Sequence, residues 1–228
     1  MTSYLALIVF GLFLSLLMVG YSKLFSKGYE TLINLVCAGL YLVCAIVDKN
    51  LIFVPLAILF AAFSFRKGKF TFSPITLAFV LVSGIVMFLQ LDSYSIINVV
   101  RLLASAVFVG FVSQAMLLGH WYLVQPGLNR TPVKNLIHTS LYVLGFYIIV
   151  FTFFENGMGK YIFEGEEDGW GGLLWIMWLG NLVLSLGLLV ASKYALKEKS
   201  YTAVMATTGL LYLAMISTFA SDIIFRVI

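Results

Sequence analysis

Gly119-His120-Trp121-Tyr122-Leu123-Val124-Gln125-Pro126-Gly127-Leu128-Asn129-Arg130-Thr131-Pro132-Val133-Lys134 breaks one long apolar run into two. Upstream, residues 97–124 are almost wholly apolar, and 133–154 downstream are the same. Between them, proline and glycine end one helix, and Thr131-Pro132 starts the next, with a hydroxyl at the cap and a proline where no amide is needed. The reading is a helical hairpin. Each arm is long enough for ~30 Å of hydrocarbon, which takes roughly 20 helical residues.

The rest of the chain repeats this pattern. It has 228 residues, 62% of them hydrophobic and 11% charged, and a mean hydropathy of +1.05. A soluble domain carries roughly 25% charged residues, so lipid must solvate much of this surface. Apolar spans are expected at about 3–21, 31–47, 51–65, 71–91, 97–124, 133–154, 170–191 and 201–225. The expected fold is all-α: a single polytopic transmembrane domain over 1–228, a bundle of about eight helices. The apolar start lacks a basic lead-in and a small-residue cleavage site, and reads as a first span. Spans two and three are short and separated only by Asp48-Lys49-Asn50, so they form a hairpin that need not cross fully.

Charge gives the orientation. With the N-terminus outside, the inner loops hold Lys23, Lys27, Arg66, Lys67, Lys69, Arg130, Lys134, Lys193, Lys197 and Lys199. The outer side keeps Lys49, Arg101, Lys160 and Arg226, together with most of the carboxylates. This is the alternation of the positive-inside rule, and it places both termini outside. The net charge of +4 is thus a topology signal, and nucleic acid is not an expected partner. The expected location is a cell membrane, the bacterial inner membrane. Glu164, Glu166, Glu167 and Asp168 crowd the longest outer loop; they read as a solvated turn or a dock for a basic soluble partner.

Several chemistries are absent. The chain has no phosphate-binding glycine loop, no paired-histidine zinc helix, no nucleophile elbow and no aspartate-rich diphosphate motif. No lysine lies mid-span, which removes a Schiff-base chromophore. Cys37 and Cys44 stand two turns apart on one helix, about 10 Å along the axis, and are too distant for a disulfide. They read as small buried hydrophobes.

The candidate site is the hairpin itself. Ala106, Gly110, Ser113 and His120 share one face of the first arm, a small-residue seam ending at an imidazole about 6–7 Å from the helix end. On the second arm His138 lies roughly 9 Å in, on a face that continues through Tyr142 to Gly145. The two imidazoles are expected at similar depth; whether they face each other is open. Three readings stand side by side. In one, His120, His138, Trp121 and Tyr122 are interfacial side chains of the aromatic belt. In another, His120, His138, Trp121, Tyr142 and Arg130 hold a redox group. Two imidazoles would ligate a b-type haem, or one would hydrogen-bond a quinone whose anionic form Arg130 favours. In the third, the histidines and Gln114, Asn181, Thr207 and Thr208 line a solute or proton path. At the outer side, Arg101 and Asp222 are expected to form a structural ion pair joining two helices.

With almost no extramembrane mass, the chain reads as a non-catalytic anchor or accessory subunit among partner membrane subunits, electron-transfer linked through quinone or haem. The alternative is a small transporter or channel.

Overall fold

The computed structural model describes residues 8–12, 14–15, 27–48, 53–64, 96–125, 127–153 and 170–227, and every regular element among them is an α-helix. The chain falls into two compact units, Met1–Ser93 and Tyr94–Ile228. The expected span at 71–91 and the acidic loop at 164–168 lie outside the described residues.

In the first unit residues 8–12 and 14–15 are helical, and Ile8, Val9, Leu12 and Ser15 are buried. Helix α1 (Lys27–Asp48) packs against α2 (Phe53–Ser64). Tyr29, Ile33, Cys37, Tyr41 and Cys44 recur at helical spacing and are all buried, which gives α1 one packed stripe. Phe53, Leu56, Ala57 and Phe60 do the same for α2. The Tyr41 ring stacks on both Phe53 and Phe60, with centroids 6.1 and 5.5 Å away. Both cysteines are free and buried, as their spacing required. The 12 described residues of α2 rise about 18 Å, less than a bilayer core.

The second unit is built from α3 (Ile96–Val124), α4 (Thr131–Phe153), α5 (Trp170–Ala195) and α6 (Tyr201–Val227). All four are long and apolar enough to cross a membrane. Each packs on two others in a closed ring: α3 on α4, α4 on α5, α5 on α6, and α6 back on α3. Residues 125–130 and 196–200 are short joints at one end, so neighbours run antiparallel. Side-chain contacts fix the register. Ser105 meets Asp222 at one end of the α3–α6 pair and Gly119 meets Thr208 further along, at equal steps on both helices.

Close approach of α3 to α6 depends on Gly119. A Cβ there would lie 3.1 Å from Thr208 Oγ1, so the missing side chain lets the two backbones come together. At the other end of the bundle an aromatic cluster joins α3, α4 and α5. Phe108 stacks on Tyr147 at 5.6 Å, Tyr147 and Phe151 pack on Trp178, and Trp178 packs on Trp175. Trp178 Nε1 donates to Tyr147 Oη at 3.4 Å, so the buried indole N–H has a partner. Helix α3 is the enclosed one, with 83% of its apolar window buried against 28% for α5. The outward faces of α4, α5 and α6 carry Tyr142, Phe146, Ile149, Ile176, Val183, Leu184, Leu213 and Ile216, all exposed.

The interior of the second unit is rich in hydroxyls, and several bond to their own helix. Thr207 donates to Ala203 O, Thr208 to Val204 O, Thr218 to Ala214 O and Ser192 to Leu188 O, each at 2.7–2.8 Å. With no water in the hydrocarbon core, a hydroxyl turned back on the preceding turn is satisfied without a solvent path.

Candidate functional site

The hairpin of α3 and α4 is built by three local devices. Gly127 has φ of +97°, a left-handed conformation that glycine adopts without strain. Tyr122 Oη donates to Asn129 O and pins the loop under the end of α3. Asn129 Oδ1 accepts from both Thr131 N (3.0 Å) and Thr131 Oγ1 (2.7 Å). The first helical bond runs from Lys134 N to Arg130 O. The cap therefore falls one residue earlier than the sequence pattern predicts: Thr131 is already helical, and Asn129 serves its orphan amide.

Arg130 clamps the two loops at this end. Its Nη1 donates to Glu198 O at 2.7 Å, and its Nη2 to Lys199 O at 2.9 Å and Ser200 O at 3.1 Å. These carbonyls lie between α5 and α6, where helix ends leave acceptors unmet. Ser200 Oγ then caps α6 by accepting from Ala203 N at 3.2 Å. The guanidinium expected to face a quinone is engaged in joining loops.

His120 is exposed and turns toward α6. Its Nδ1 lies 3.3 Å from Tyr212 Oη, and the rings meet edge-on at 6.2 Å. His138 sits on the opposite side of α4 from Tyr147, nine residues being half a turn beyond two full ones. Tyr147 points into the bundle, so His138 points outward with Tyr142, which is 77% exposed, and Gly145, whose missing Cβ borders open space. The Tyr142 and Gly145 part of this face looks away from the bundle interior. The two imidazoles sit at the same end and face different neighbours, His120 beside α6 and His138 on the side of Lys134 and Lys193. Trp121 is half-buried next to His120.

At the far end, Asp222 is buried and accepts a hydrogen bond from Ser105 Oγ. Arg101 lies one turn before Ser105 on the same face of α3, with its guanidinium carbon 5.6 Å from the Phe151 ring centroid. Arg101 and Asp222 thus belong to the same end of the α3–α6 pair, where Ser105 on Asp222 and Phe151 beside the guanidinium are neighbours that sequence reading misses. Tyr212 and Lys193 are missed for the same reason: a tyrosine and a lysine on distant helices carry no motif, and only the ring order of the bundle brings them beside the histidines.

Among the described residues no three metal-binding side chains converge. No protein-family model, curated protein or solved structure matches the chain. What the fold and site define is a class: an all-helical protein with four membrane-competent helices among the described residues, compatible with a multi-pass membrane protein.

Proposed function

We propose that the chain is an eight-span membrane anchor or accessory subunit of a larger membrane complex, with both termini outside, in the bacterial inner membrane. The observation that carries this reading is the construction of the second unit. Helices α3 to α6 are uninterrupted, and their buried threonines are satisfied by their own backbone. Transporters characteristically place their sites where spanning helices are broken and backbone groups are freed for a solute. A bundle of continuous helices with broad apolar faces on α4, α5 and α6 suits attachment to neighbouring subunits.

The electron-transfer link belongs to this proposal. His120, hydrogen-bonded to Tyr212 and open to the membrane on its other side, suits a single contact to a quinone carbonyl better than a haem shared with His138. Quinone retained by the wild-type chain and lost in His120→Ala, with no Soret band in either, supports it. A bis-histidine haem spectrum, or quinone retention indifferent to His120, contradicts it.

A second reading has its own observation. The buried Asp222–Ser105 contact beside Arg101 is an ionisable group at membrane depth, and such groups often mark ion paths. Liposomes holding the chain alone separate the two. The anchor reading expects them to be tight to protons and small solutes; sustained flux abolished by Asp222→Asn would establish the transporter.

A further inference from the structure

The side chains on the outward face of α4 at its basic end are not used by the anchor reading. Lys134 and His138 are one turn apart on that face. Lys193 comes from the last turn of the neighbouring helix α5, and the antiparallel packing of α5 on α4, with Trp178 on Tyr147, sets that turn level with the first turn of α4. His138 is half-buried, and its Nε2 is shielded from solvent with no hydrogen-bond partner. An orphaned polar atom at membrane depth is costly unless something supplies its partner. Neighbouring cations are engaged elsewhere: Arg130 on three carbonyls, and Lys197 over the Tyr194 ring at 4.2 Å. Neither Lys134 nor Lys193 is paired with a carboxylate among the described residues.

We propose that Lys134, His138 and Lys193 form a binding site for the phosphate of an anionic phospholipid headgroup. Two ammonium groups from adjacent helices flank one imidazole, a donor set matched to a phosphodiester. The depth fits, because Lys134 lies in the first turn of α4 and Lys193 in the last turn of α5, where headgroup phosphates sit. Their aliphatic stems reach the interface while the charges stay at it. The rest of the face supplies the reason for a lipid over a soluble anion. Deeper in the membrane the same stripe continues through exposed Tyr142, open Gly145 and exposed Ile149, a shallow track for an acyl chain. This inference requires only that the bundle is in a membrane, and does not depend on the anchor reading or on any redox group.

The chain holds 2 histidines, so selective nitrogen-15 histidine labelling gives two imidazoles, which His120→Gln assigns. The full chain is placed in phosphatidylcholine bicelles and titrated with phosphatidylglycerol. The His138 nitrogens are expected to shift and saturate while those of His120 stay still. Lys134→Gln/Lys193→Gln should need about tenfold more phosphatidylglycerol, whereas Lys197→Gln/Lys199→Gln should titrate as wild type. Inorganic phosphate added to phosphatidylcholine bicelles should leave His138 unmoved; a shift like that with phosphatidylglycerol would overturn the lipid assignment. The proposal fails if His138 ignores phosphatidylglycerol, if both histidines move together, or if the two double variants weaken binding equally. The wild-type titration alone decides the main claim should the Lys134/Lys193 variant not fold.

Discussion

Arg130 shows how one side chain can join two parts of a bundle that sequence keeps far apart. Its planar guanidinium reaches three successive carbonyls, a geometry that a lysine ammonium does not reproduce. Arg130→Ala should lower stability by about 1–2 kcal/mol in thermal unfolding in detergent, and Arg130→Lys should recover only part of that. Gly119 is the second decisive residue. Gly119→Ala pushes a methyl group against Thr208 Oγ1, and the crowding, partly offset by the ~1 kcal/mol that alanine gains over glycine within a helix, should leave a net cost of up to about 2 kcal/mol. Thr208→Ala removes the obstructing hydroxyl, so the double variant should be more stable than the two single losses add up to. A double-mutant cycle measures that coupling, and simple additivity would show that the two helices do not meet there. Neither role is legible in the sequence. A loop arginine in an apolar chain reads first as a topology signal, and its partners here are backbone carbonyls, which have no side-chain signature.

At the scale of elements, the hairpin was readable and its contacts were not. Proline and glycine punctuation placed the break between α3 and α4 to within a few residues, because turn chemistry is local. The helix periods also place His138, Tyr142 and Gly145 on one face of α4. What the periods cannot give is the direction of that face, which depends on which neighbours each helix has. Once α3 pairs with α6 and α4 with α5, His120 turns to Tyr212 and His138 turns outward beside Lys193. The α4–α5 pair rests on Trp178, which is fully buried against Tyr147, Phe151 and Trp175. Trp178→Ala should destabilise the protein by about 3–5 kcal/mol. Trp178→Phe keeps one ring but loses the N–H bond to Tyr147 and part of the packed volume, so it should cost about 2 kcal/mol, less than the alanine variant. Equal losses in a denaturation series would mean that the hydrogen bond, and not ring packing, holds the pair.

On the whole-molecule scale, composition alone established an apolar helical chain, because no soluble core absorbs so much hydrophobic surface. The count of spans is a different kind of inference. It rests on apolar windows checked by charge alternation between loops, and four membrane-competent helices are what the structure describes. Single cysteines in a Cys37→Ala/Cys44→Ala background, placed at positions 68, 128 and 198, should be labelled by an impermeant thiol reagent only from the cytoplasmic side; position 160 should react from outside. Labelling of 68 and 128 from opposite sides would remove one span from the eight. Function is less legible than topology for a physical reason. If the chain is the anchor proposed above, its chemistry resides in the surfaces it offers to other subunits, and one chain carries only half of each. The central claim is therefore tested most directly by the mass of what leaves the native membrane with the protein in mild detergent. The account predicts a complex well above the 25.4 kDa of the chain, containing at least one larger subunit at fixed stoichiometry. A monodisperse monomer, extracted from its native membrane with lipid alone, would contradict it.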